Sequence, residues 1–219
     1  MPSVPIPSLA DMPAVVPVFP LTDALLLPRG RLPLNIFEPR YLAMVDDAMR
    51  TTRVIGMIQP ATTNDQLRKP PLYPVGCLGR ITSWSETGDG RVLITLSGQL
   101  RFRIKAELKT TTPYRQVETD YTEFATDLEE PIDDQSIDRA RLGHCLKNYL
   151  KQKNLDADWQ SIERAPAEVL VNSLAMICPF NPAEKQALLE APELSDRAQL
   201  LTTLIEMTTT SGPQGGTLQ

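Results

Sequence analysis

The chain has a single histidine, His144, in 219 residues, and no Gly-Lys pair. One histidine excludes the helical metal motif H-E-x-x-H, which needs two imidazoles a turn apart. Without Gly-Lys there is no phosphate loop G-x-x-x-x-G-K-[ST], whose lysine must reach the terminal phosphates. A G-x-S-x-G elbow for a nucleophilic serine is missing too. Cysteine is sparse: Cys77, Cys145 and Cys178 are an odd, widely spaced set with no C-x-x-C, neither a disulfide framework nor a zinc pattern. They read as reduced, buried thiols. No Lys or Arg precedes Arg29 and prolines interrupt the first residues, so both the charged and the apolar region of a signal peptide are lacking. No apolar run approaches the roughly 20 residues needed to span a bilayer. These absences predict a soluble cytoplasmic protein with no membrane partner, no metal and no cofactor.

What is present divides in two. Residues 1–115 hold 14 Lys/Arg against 9 Asp/Glu, a balance of +5, while residues 116–219 hold 8 against 18, a balance of −10. Such asymmetry fits a charged partner, or two domains that attract each other across their own interface. Residues 1–12 are proline-rich and read as a flexible arm. The runs "VVPVFPL", "ALLL", "LPLNIF" and "VIGMI" are short, apolar and bounded by Pro, Gly or Thr, which predicts buried strands. Pro17 pushes the first toward an edge or bulge. At Glu38-Pro39 the pattern turns helical: Pro39 fits a first helical position, and Tyr41, Val45, Ala48 and Met49 share one face. Ile36, Phe37 and Tyr41 read as core, with Glu38 and Arg40 pairing or capping at the junction.

Residues 59–74 have the composition of a long loop. "VGCLGRITSW", the turn "SETGDG" and "RVLITLSG" predict a hairpin. In "LRFRIKAEL" the apolar Leu100, Phe102, Ile104, Ala106 and Leu108 alternate with Arg101, Arg103, Lys105 and Glu107, the period of a strand with one wet face. "YRQVETDYTEF" alternates likewise, with Val117, Thr119 and Tyr121 on one side. Between Gln116 and Asp138 stand nine acidic residues and no basic one, marking a boundary. Beyond it the period is helical, with stripes Leu142, Cys145, Leu146, Tyr149, Leu150 and Leu170, Leu174, Ile177. Asn181, Pro182 and Glu184 spell a helix start, Ser195 reads as the cap of a last helix bearing Leu200, Leu201, Leu204 and Ile205, and the tail from Thr208 reads as disordered.

The expected architecture is α+β. It has a flexible arm (1–12), a barrel of about six strands plus one helix (13–126), an acidic linker (127–135), a helical bundle (136–207) and a tail (208–219). Closure into a barrel is favoured because it removes exposed edges. No catalytic set assembles: His144 and Cys145 are adjacent on a helix and point about 100° apart, and the paired carboxylates lie in solvated or linker contexts. Arg101, Arg103 and Lys105 on one strand are too few cations for a phosphate path, so no nucleic-acid partner is expected.

The stretch "VPVFPLTDALLLPRGRLPLNIFEPRYLAMVDDAM" resembles the opening of the N-terminal, substrate-binding domain of ATP-dependent Lon proteases. Val18 to Leu21, Leu27 to Gly30 and Ile36 to Tyr41 stand for its three motifs. The resemblance continues through "VGCLGRI" (75–81), "GQLRFRI" (98–104) and "LVNSLAMICPFNPAEKQALLEA" (170–191), covering residues 13 to 207. It implies a PUA-like barrel, of the pseudouridine-synthase-and-transglycosylase type, ahead of the bundle. It also implies a stand-alone bacterial protein, since the ATPase and Ser-Lys peptidase that follow in Lon have no counterpart residues here. The expected function is non-enzymatic binding of unfolded or exposed apolar polypeptide. The alternative is an adaptor or scaffold for one folded partner, a Lon protease or another copy of this chain. The expected binding residues are Arg29, Leu32 and Arg40 around the opening motif and Leu67, Arg68 and Tyr73 in the long loop.

Overall fold

The structure, a computed structural model, describes residues 8–62, 69–129, 136–153 and 155–210. The apolar runs become six strands: β1 (Val15–Pro20), β2 (Arg31–Ile36), β3 (Val54–Ile58), β4 (Val75–Glu86), β5 (Val92–Glu107) and β6 (Arg115–Asp120). They form one mixed sheet in the order β2-β5-β4-β3-β1-β6. β6 pairs in addition with the second half of β5, Arg103 opposite Asp120, so the ladder through β5, β4, β3, β1 and β6 closes on itself. β1 and β3 are the parallel pair, and the crossover between them carries β2 and helix α1 (Pro39–Arg50).

At 16 residues β5 is long enough to serve two sheets. Its second half closes the ring. Its first half holds β2 on one side and the end of β4 on the other, a three-stranded blade projecting from the barrel. The change occurs at Gly98, beside a register shift between Leu78 and Gly79. A Cβ on Gly98 would stand 2.0 Å from the Leu27 carbonyl oxygen, and only hydrogen in that place lets the backbones touch. Arg29 N–H donates to Gly98 C=O at 2.8 Å and Gly98 N–H to Gly30 C=O at 2.9 Å. Leu25, Leu26 and Leu27 are buried but form a strap rather than the strand read from "ALLL". The strap ends by bonding one glycine, not a ladder.

α1 opens on Pro39 as expected and buries Tyr41, Met44, Val45 and Ala48, with the Tyr41 ring 4.2 Å from that of Phe19. Phe37 does not join the core: it is 61% exposed, because strand alternation turns Ile36 inward and Phe37 outward just before the helix begins.

After a 3-10 turn (Thr122–Leu128) come α2 (Arg139–Lys153), α3 (Trp159–Arg164), α4 (Ala167–Ile177), α5 (Pro182–Glu190) and α6 (Leu194–Thr210). The Asn181 start is a reciprocal cap: Glu184 N–H donates to its side chain at 3.0 Å and its own N–H donates to Glu184 at 2.8 Å. Ser195 lies inside α6 rather than at its cap. Ile177 is 78% exposed, since α4 buries Ala167, Leu170, Val171 and Ala175 instead. α6 continues to Thr210, past the expected end of the bundle.

Candidate functional site

β4 loses its partner β3 at Arg80, and a register shift between Ile81 and Ser83 turns its last residues outward with β5. Alternation then puts Trp84 and Glu86 on one face, opposite Ile94 and Val92. The connecting turn is closed by Thr87 N–H donating to Arg91 C=O at 2.9 Å, with Gly90 at a φ of 82° that suits glycine. This face of the blade and the outer side of α1 enclose an open groove of about 540 Å³. Leu42, Val45 and Met49 form one wall, Trp84 and Val92 the other, and Asp46, Glu86 and Arg91 stand at the margins. Trp84 is 44% exposed. Phe37 flanks the groove through Arg91, whose guanidinium lies 6.0 Å from its ring. Asp46 is paired with Arg50 at 2.8 Å and Arg91 with Asp89 at 3.1 Å. Glu86 makes no ion pair among the described residues.

The residues expected to bind fall elsewhere. Arg29, in left-handed backbone at φ 62°, forks onto both Glu168 oxygens and gives its third bond to Asp127 C=O at 2.7 Å. It joins the barrel to α4. Arg40 pairs with Glu38 at 2.8 Å and lies 4.5 Å over the Tyr41 ring, the junction role read from sequence. Leu32 is half-buried on β2, and Tyr73 is half-buried with its N–H donating to Gln59 C=O at 3.0 Å. Leu67 and Arg68 lie outside the described residues. No hydrogen bond or ion pair joins any two of Arg29, Leu32, Arg40 and Tyr73. The groove residues themselves were not read from sequence. The signal available was Trp84, a large aromatic among Thr, Ser and Glu on a wet strand face.

A second polar assembly lies between barrel and helices, and it corrects the reading of Arg101 as part of a wet basic face. Arg101 is 2% exposed. Its Nε and Nη2 donate to the Asp127 carboxylate at 2.9 and 2.8 Å, and its N–H reaches the same group at 2.9 Å. Nη1 donates to the carbonyls of Leu189 and Ala191 at 3.1 and 2.6 Å, and the Phe124 ring lies 4.6 Å away. The loop between α5 and α6 covers this face of β5, which the pattern within β5 cannot reveal. Arg197 donates to Leu188 C=O at 2.9 Å and to Asn172 at 3.1 Å. Burial, then the charge of Arg101, hold its pKa down to about 10. Arg103 forks onto Glu123 at 2.7 and 2.9 Å, leaving Lys105 as the exposed cation of the three.

The three thiols are buried. Burial pushes Cys178 up to about 11 and Cys77 well above the ordinary thiol range, which disfavours the nucleophilic thiolate. His144 is exposed on α2. Among the described residues no group of three or more His, Cys, Asp or Glu is arranged to hold a metal ion, and no helix is long and apolar enough to cross a membrane.

Comparison with known proteins follows the same outline. The family model described as the ATP-dependent protease La (LON) substrate-binding domain matches residues 15–207. Lon protease 2 of Myxococcus xanthus is 29% identical over 206 residues, covering 89% of this chain and 24% of that protein. Lon protease of Anaeromyxobacter dehalogenans is 28% identical over 207 residues, covering 89% and 23%. The chain thus spans about a quarter of these relatives. Among solved structures, a Lon N-terminal domain protein from Xanthomonas campestris superposes with a TM-score of 0.59 at 24% identity, covering 86% of this chain and 97% of that one. The N-terminal domain of the Mycobacterium avium complex Lon protease superposes with a TM-score of 0.60 at 18% identity, covering 88% and 98%. At these identities the two structures speak for the fold.

Proposed function

This chain belongs to the LON substrate-binding domain family, and from that premise we propose that it binds polypeptide in the cytoplasm without breaking a covalent bond. Its clients are exposed apolar segments of other proteins. The observation that supports this most is the groove between α1 and the blade, where Trp84 stays exposed across from a wall of Leu42 and Met49, with the exposed Phe37 next to Arg91 at its margin. A soluble protein keeps such side chains in water at a cost, and contiguous exposed apolar surface marks contact sites. Affinity would come from burying these groups, with aromatic anchors supplying most of it.

The test uses a fluorescently labelled, unfolded polypeptide and reads anisotropy. Trp84→Ala and Phe37→Ala are each expected to weaken binding about tenfold, as truncated aromatic anchors do. Ile177→Ala, an exposed apolar residue on α4 outside the groove lining, should leave it unchanged. Absence of binding, or equal binding by all three variants, would remove the proposal. Retention of one folded partner in place of unfolded chains would favour the adaptor role instead.

A further inference from the structure

The blade has two outer edges, and they are finished differently. Thr87 N–H donates to Arg91 C=O, and antiparallel bonding alternates from there. Ser85 therefore bonds Leu93 and Ser83 bonds Thr95, while Trp84 and Glu86 direct their N–H and C=O away from β5. On the β2 side, Pro33 stands opposite Thr95, whose bonds go to Ser83, so the nitrogen of Pro33 faces outward. The outer edge of β2 consequently lacks a donor at its middle, a common guard against further pairing. The edge of β4 has no such guard. Its pairing with β3 ends at Arg80, Ile81 N–H is taken by Arg53 C=O at 2.8 Å, and residues 82–86 are exposed with no strand partner on that side among the described residues.

We propose that a bound polypeptide adds to this edge as an extended antiparallel strand, exchanging main-chain hydrogen bonds with Trp84 and Glu86, and that Glu86 selects a basic residue opposite itself. This rests on the polypeptide-binding reading and specifies its mode. A residue paired with Trp84 shares the face of Trp84 and so points to the α1 wall, where Leu42 and Met49 receive an apolar side chain. A residue paired with Glu86 meets a carboxylate that, unlike the charges of Asp46 and Arg91, has no ion-pair partner among the described residues. Main-chain bonds give affinity for any extended segment, and alternate side chains give the preference. The occupant is therefore an extended apolar segment with a lysine or arginine two residues before an apolar residue.

The probe is a labelled synthetic peptide of alternating valine and threonine with one central lysine, bound to the full chain. N-methylation at the lysine, or at the second residue after it, deletes a donor aimed at Glu86 or Trp84 and is expected to weaken binding about tenfold. Methylation at the residue between them, whose N–H faces solvent, should change binding less than about twofold. Norleucine in place of lysine should weaken binding several-fold, and Glu86→Gln should erase that difference while leaving the methylation pattern intact. Equal effects at all three methylated positions, with the unmethylated peptide still bound, would overturn edge addition and leave the groove reading in place. A wild-type chain that binds no peptide overturns both. Sedimentation showing a stable dimer that the peptide must dissociate would give the edge to a second copy and overturn the proposal as well.

Discussion

Single side chains decide whether barrel and helices hold together, and Arg101 is the clearest case. Its alternation with Phe102 predicts a wet side chain, and the local pattern is right as far as it goes, since Phe102 is fully buried. What the pattern omits is a second cover: the carbonyls of Leu189, Ala191 and Pro192 arrive from 88 to 91 residues away, with Asp127 between. Arg101→Met would leave the Asp127 carboxylate buried without its partner and is expected to cost about 3–5 kcal/mol in urea unfolding. Adding Asp127→Leu should return much of that loss, because an apolar pair of similar size avoids the uncompensated charge. If Arg101→Met unfolded at the wild-type midpoint, the seam would not be holding the two parts. Glu38 and Arg40 were legible because their pairing is local, two residues apart. Arg29 was read as a binding residue, and its pairing with Glu168 on α4, 139 residues away, leaves no local signal.

Elements were easier to read than contacts. All six strands fall on runs whose turn residues and period read as strand, with β5 joining two of those runs, and the helix opening on Pro39 and the capped start at Asn181 follow from the same signals. The strap of residues 24–30 did not, because three leucines in a row look the same in a strand and in a buried crossing. The hidden determinant was Gly98, distant in sequence, whose missing Cβ admits Leu27. Gly98→Ala is expected to destabilise by about 3 kcal/mol or more, since the methyl would meet rigid backbone and the strap would lose both bonds to β5. Thermal unfolding reads this directly; an unchanged midpoint would mean that the strap can lift without loss. The groove belongs to this scale too. Trp84 could be noticed in the sequence as an aromatic on a wet face, but its opposite wall, Met49 and Leu42, is set by where the crossover helix lands.

At the scale of the molecule, the charge division between the two halves finds at least part of its meaning inside the fold. Arg29 and Arg101, from the basic half, bind Glu168 and Asp127, from the acidic half. Internal attraction was one of the two readings of that asymmetry, and these pairs supply it. The seam fixes the helices on the barrel, while the groove between α1 and the blade stays open.

Amide hydrogen exchange with and without a saturating unfolded polypeptide examines that picture most directly. Binding in the groove predicts slower exchange at Trp84 and Glu86, whose amides face outward on β4, and along the Leu42 to Met49 side of α1, with the seam around Arg101 unchanged. Protection confined to α2 through α6, or none at all under conditions where the polypeptide is bound, would contradict it.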